Sequence, residues 1–142
     1  MDLGIAGRKA LVCGASAGLG LACARALADE GVTVVMVART SETLDDAAHE
    51  VHRCTGAEVY TVAADVTSDA GRAAIFEDHP SFDIVVTNAG GPPSGDFRQW
   101  DREVWHRAIE ANMLAPIALI QATVDHMMSQ GFGRIEIGRA HV

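Results

Sequence analysis

The sequence is short of several residue types, and each shortage narrows what the chain can be. In 142 residues it has one lysine, Lys9, one tyrosine, Tyr60, and three cysteines, Cys13, Cys23 and Cys54. Three cysteines without CxxC spacing give no disulfide framework. Met1-Asp2-Leu3-Gly4 opens no basic-then-apolar leader, so a reducing, cytoplasmic setting is expected. Positive charge is scarce as well: 11 basic residues face 19 acidic ones, for a net charge of −8, and they form no run or stripe. That balance disfavours a nucleic-acid partner or an anionic membrane surface. The longest apolar stretch, around Met113 to Ile120, is too short to span a bilayer and contains Pro116. Apolar residues at 49% and charged residues at 21% argue against disorder.

What is present is an alternation of short apolar runs and helical patterns, with no internal repeat. Strands are predicted over 9–13, 32–37, 58–63 and 82–86, and a fifth begins at Arg134. Helices are predicted over 19–30, 41–54 and 68–78, with Gly31 and Gly56 as stops, and one long helix over 101–128. Continuous apolar strands alternating with helices specify a parallel sheet covered on both faces, an α/β fold wound in both directions. Ligands of such sheets lie at the carboxyl ends of the strands, where strand order reverses.

The residues after each strand therefore matter most. After the first comes Gly14-Ala15-Ser16-Ala17-Gly18-Leu19-Gly20. Gly14 allows a sharp turn, Gly18 a close approach of backbone to a pyrophosphate, and Gly20 close helix–sheet packing; the helix then offers its free N–H groups to phosphates. After the second strand, the position that could hold a ribose 2′-hydroxyl with a carboxylate is Ala38, and Arg39 follows it. No acid is there to repel a 2′-phosphate, and a guanidinium is placed to pair with one, so NADP(H) is preferred over NAD(H). After the third and fourth strands come Asp65-Val66 and Asn88-Ala89-Gly90.

These elements, with Asn112 following Glu110-Ala111 in the long helix, resemble the short-chain dehydrogenase/reductase superfamily in order and spacing, most of all its bacterial 3-oxoacyl-acyl-carrier-protein reductase-like members. The resemblance runs from about Ile5 to Ile135. It implies a Rossmann-type sheet of strand order 3-2-1-4-5 and an oxidoreductase that moves hydride between a nicotinamide and a carbonyl or alcohol. It further implies that Gly14, Ser16, Ala17, Gly18, Leu19 and Gly20 contact the pyrophosphate and ribose, and that Arg39 meets the 2′-phosphate. Asp65 and Val66 then meet the adenine, while Asn88, Ala89 and Gly90 support the nicotinamide-side ribose. Asn112 takes the place of the Asn in the family's Asn-Ser-Tyr-Lys set, although a helix-interior Asn can also satisfy a local kink. The long helix implies a homo-oligomer.

Three departures stand out. Cys13 replaces the usual Thr, removing a hydroxyl that can tie the turn to strand four; Thr87 replaces the first Asn of Asn-Asn-Ala-Gly; and Gly91-Pro92-Pro93 is an unusual continuation. The family's Tyr and Lys sit four residues apart on one helix face, where the ammonium depresses the phenol pKa. Tyr60 and Lys9 lie on different predicted strands and cannot form that pair. Residues 137–142 look like one reading frame of a widely used sequencing adapter. The expectation is thus an incomplete domain over 1–136, short of the later strands and helices and of the catalytic Ser, Tyr and Lys, with a non-native tail over 137–142.

Blander readings cover the rest. His49 and His52 have no third partner, so a solvated helix face is expected and no metal. Trp100 and Trp105 read as packing anchors. Two other functions fit parts of the pattern: a dinucleotide-binding module without turnover, and a methyltransferase. Arg39 and Asn88-Ala89-Gly90 argue against the second.

Overall fold

A computed structural model describes residues 1–91 and 93–138. Five strands, β1 (Lys9–Cys13), β2 (Thr33–Ala38), β3 (Val59–Ala63), β4 (Ile84–Thr87) and β5 (Arg134–Ile137), form one sheet in which every neighbouring pair is parallel. Their order is β3-β2-β1-β4-β5. Strand order reverses beside β1, which pairs with β2 on one side and β4 on the other, so the crevice of the doubly wound fold opens over the carboxyl ends of β1 and β4.

The strand sequences explain the two covered faces. Successive side chains alternate sides, so Ala10, Val12, Val34 and Met36 join one core while Leu11, Cys13, Val35 and Val37 join the other. The first core is capped by α1 (Gly18–Asp29) and α2 (Ser41–Thr55), through Ala24, Ala28, Leu44 and Val51. The second takes Ile75 from α3 (Asp69–Asp78) and Leu119 and Met127 from α5 (Ala115–Gln130). Gly56 ends α2 in the left-handed conformation, as its position after the periodic run predicts. β3, at the edge, exposes Tyr60, Thr61 and Ala63.

The long helix is where sequence and structure part. It is expected to be continuous over 101–128. Instead α4 (Arg102–Ile109) passes into a π-helical turn, Glu110–Leu114, before α5 begins. Pro116 accounts for the break. It has no N–H, so the Asn112 carbonyl one turn earlier loses its α-helical donor, and the register slips by one residue. The Ala115 N–H accordingly donates to Glu110, five residues back. A short 3-10 turn at Phe97–Gln99, not anticipated, precedes α4, and Asp101 caps α4 by accepting the Val104 N–H at 2.9 Å. The fourth strand starts at Ile84, later than expected, although the Asp83 N–H donates to Lys9 at 2.9 Å and the Asp83 carbonyl accepts from Arg134 at 3.0 Å, so its backbone already bridges β1 and β5. β5 runs to Ile137, and the Gly138 N–H donates to Thr87 at 2.8 Å. The rest of the expected tail, 139–142, lies outside the described residues.

Candidate active site

The carboxyl ends of β1 to β4 surround a cavity of about 550 Å³. Gly14 and Ser16 come from the turn after β1, Arg39 and Thr40 from the end of β2, and Asp65 and Val66 from the end of β3. Asn88, Ala89 and Gly90 follow β4, and Val104, Arg107, Ala108 and Ala111 close the side under α4.

The glycine turn is built as its spacing predicts. Gly14 has φ of +61°, a conformation that favours glycine, and the Ala15 N–H donates to the Val37 carbonyl at 3.1 Å, tying the turn to β2. A Cβ on Gly20 would collide with the Gly14 carbonyl oxygen, so Gly20 is what lets α1 start against the turn. A Cβ on Gly18, by contrast, would meet nothing within 4 Å. Ala17 caps α1 without any side-chain acceptor, which leaves the first-turn amides free of one. Open space at Gly18 and uncapped amides are what a pyrophosphate group needs. The dinucleotide therefore fits these residues. Ala17, Gly18, Leu19 and Gly20 lie at the entry to α1, outside the cavity wall.

Cys13 is the last residue of β1. It is buried in the core below the turn, beside Val35 and Val37. Burial pushes the thiol pKa up to about 12, which keeps it protonated.

Asp65 lines the cavity at the end of β3. Its Oδ1 accepts the Thr67 N–H at 2.9 Å and the Thr67 hydroxyl at 2.7 Å. The Thr67 hydroxyl and N–H hold the Asp65 pKa below the ordinary carboxylate value, with a smaller contribution from the Arg39 charge. Asp65 is thus a fixed anion whose other oxygen has no protein donor among the described residues. Arg39, exposed at the end of β2, stands on the same cavity.

Asn112 lies elsewhere, in the π turn. Its Nδ2 donates to the Ala108 carbonyl at 3.0 Å and to the Gly90 carbonyl at 3.5 Å. It therefore satisfies a helix carbonyl at the break while bridging to the loop after β4. It borders a second cavity, of about 420 Å³, beside Trp105, Ile109 and Met113. Trp100 and Trp105 pack edge to face with ring centroids 5.2 Å apart.

Lys9 and Tyr60 are outside both cavities. The Lys9 Nζ is 3.0 Å from His79 Nδ1, and the His79 ring lies 5.2 Å from the Tyr60 ring. Lys9 opens β1, so this cluster sits at the amino end of that strand, opposite the candidate site. Among the described residues no three His, Cys, Asp or Glu side chains gather to hold a metal, and no helix is long and apolar enough to cross a membrane.

Sequence reasoning missed Thr40, Val104 and Arg107. The α4 residues carried a usable signal: positions 104, 107, 108 and 111 form one helical face.

A doubly wound parallel sheet with a glycine-rich turn at its reversal point is a Rossmann-type architecture. The chain belongs to the short-chain dehydrogenase family, whose family model matches residues 8–136. It is 36% identical over 135 residues to gluconate 5-dehydrogenase of Gluconobacter oxydans, and 34% identical over 131 residues to mouse L-xylulose reductase. Each alignment covers 92% of this chain and 52% of the relative. Among solved structures, L-sorbose reductase of Gluconobacter frateurii, complexed with NADPH and L-sorbose, superposes with a TM-score of 0.88 at 34% identity, covering 95% of this chain and 53% of that one. A short-chain dehydrogenase of Sphingobium yanoikuyae in complex with NADPH gives a TM-score of 0.82 at 32% identity, covering 90% of this chain and 52% of that one. The chain spans about half the length of the curated relatives it matches.

Proposed function

We propose that this chain is the cofactor-binding half of an NADP(H)-dependent oxidoreductase acting on a carbonyl or alcohol, in the cytoplasm. The observation that carries the reading is Arg39 following Ala38 on the wall of the cavity, where a carboxylate would favour the unphosphorylated ribose. The NADPH-bound relatives support it.

In this reading the α1 amides bind the pyrophosphate through Gly18, Leu19 and Gly20, with Gly14, Ser16 and Ala17 shaping the turn. Asp65 and Val66 orient the adenine, Arg39 pairs with the 2′-phosphate, and Asn88, Ala89 and Gly90 hold the nicotinamide-side ribose. The bound nicotinamide supplies or accepts hydride. Asn112 holds the helix break beside that end and is the one member of the family's catalytic set present. Exposed apolar residues on α4 and α5 support self-association.

Titrating the chain with NADPH, NADH and S-adenosylmethionine by calorimetry tests this. Tightest binding of NADPH is expected. Equal affinity for NADH removes the role of Arg39, and tighter S-adenosylmethionine binding removes the dinucleotide reading.

A second reading is favoured by the position of Lys9 and Tyr60 at the far end of β1: this polypeptide binds dinucleotide without turnover. Absence of NADPH oxidation with a panel of ketones, alongside intact NADPH binding, is the expected result.

A further inference from the structure

We infer that the outer edge of β5 is a self-association surface: β5 of one copy pairs antiparallel with β5 of a second copy, about a two-fold axis at Ile135.

Among the described residues β4 is the only strand bonded to β5, and all four residues of β5 are exposed. The Arg134 N–H donates to Asp83 at 3.0 Å and the Gly138 N–H to Thr87 at 2.8 Å, so alternate residues from Arg134 turn their backbone toward β4. The residues between them, Ile135 and Ile137, turn N–H and C=O outward. Such an edge is a template for another strand, and proteins commonly blunt it with lysine, proline or a bulge. β5 contains no lysine or proline, and its register with β4 is unbroken.

Charge selects both the partner and the register. In an antiparallel ladder outward-facing residues oppose one another. With the axis at Ile135, Arg134 stands opposite Glu136 of the second copy, and symmetry repeats the pair. An axis at Arg134 or at Glu136 sets like charges directly opposite, which is unfavourable. An axis at Gly133 or at Ile137 leaves both charges without a partner in the opposing β5. The Arg134–Glu136 pairs fall at non-hydrogen-bonded positions, where facing side chains come closest. Neither charge is already engaged by an opposite one among the described residues. Arg134 donates to the Gly133 carbonyl at 2.8 Å and stacks on Phe132, and a facing carboxylate is a stronger partner than that carbonyl.

The other face of β5 fits the same register. Ile135 pairs with Val85, so it points to the side of the sheet covered by α5, yet it is 39% exposed. The two Ile135 side chains meet across the axis. Ile137, 58% exposed, comes to lie over Gly133 of the second copy, which has no side chain to obstruct it. A strand of unrelated sequence could satisfy the backbone, but a second copy satisfies the backbone, the charges and the isoleucines together.

The test is sedimentation velocity of the 142-residue chain and its variants over a range of concentrations. The wild type is expected to dimerise. Arg134→Glu and Glu136→Arg should each weaken the dimer about tenfold, because two attractive pairs become two repulsive ones. Mixed in equal amounts, these two variants should recover a dimer, since one copy then presents two acids to two arginines. Both substitutions in one chain should recover it as well. Recovery also shows that the single variants are folded. A monomeric wild type at every concentration overturns the inference. So does association that neither single variant weakens, which assigns it to α4 and α5 alone. Weakened dimers that neither mixing nor the double variant restores overturn the register and the inference with it.

Discussion

Gly14 and Asn88 meet across the reversal point of the sheet: a Cβ on Gly14 would lie 2.8 Å from both the Asn88 Nδ2 and the Asn88 carbonyl oxygen. The turn after β1 and the loop that follows β4 are thus fitted to each other, and the missing methyl of Gly14 is the fit.

Gly14→Ala is accordingly expected to damage both stability and binding. The backbone φ of +61° adds strain to the steric clash, for a combined loss of about 2–4 kcal/mol. Gly56→Ala is the control: it shares a positive φ, +71°, but a Cβ there meets nothing within 4 Å, so about 1 kcal/mol is expected. Urea unfolding of both variants measures the difference. Equal losses would show that the Asn88 contact is inconsequential.

The amino-end cluster predicts a pH dependence of stability. Burial and the Lys9 ammonium push the His79 pKa below its ordinary 6.5, against a smaller upward pull from Asp78. The unfolded chain then takes up a proton at higher pH than the folded one, and the folded state is penalised. Stability is full above about pH 6.5 and is lost as pH falls from there through the folded value. Across that window the wild type should lose more stability than His79→Gln. Parallel losses in the two proteins would contradict the assignment.

The Asn112 amide answers a carbonyl left by the helix break, so Asn112→Ala should cost stability modestly. About 0.5–1.5 kcal/mol is expected, toward the lower value because the site is exposed and water can replace the amide. NADPH affinity should stay within about twofold. A large affinity loss with unchanged stability would instead give Asn112 a direct part in holding the cofactor.

Trp105, Ile109, Met113 and Ile117 are each between 41% and 50% exposed, on the α4 to α5 stretch. Such a patch drives association in water. Light scattering of the chain is expected to show dimers or larger species, and Met113→Glu with Ile117→Glu should shift them toward monomer. A monodisperse wild-type monomer would rule this out.

Much of this molecule is legible in its sequence. The strands are short apolar runs, β1 stopping at Gly14 and β4 at Asn88, and their alternation with helices carries both the sheet and its two cores. Gly14, Gly18 and Gly20 could be assigned separate tasks because each task forbids a Cβ for a different reason. The break in the long helix was less visible, although Pro116 was its written cause. Apolar periodicity continues straight through it, and a π turn preserves that continuity while shifting the register. Arg107 lines the cavity from a helix wall, away from the strand ends where sheet topology directs the search for ligands.

The pairing of β1 also bears on how the chain is made. Ala10 pairs with Val34, 24 residues on, and with Ile84, 74 residues on. At about 5–20 residues per second, a ribosome delivers the second partner roughly 4–15 s after the first strand is complete. Throughout that interval β1, the central strand of the finished sheet, has one side of its backbone unpaired. The protein must therefore pass through synthesis with its future centre as an open edge, the state in which a chaperone can bind it or a neighbouring nascent chain can capture it.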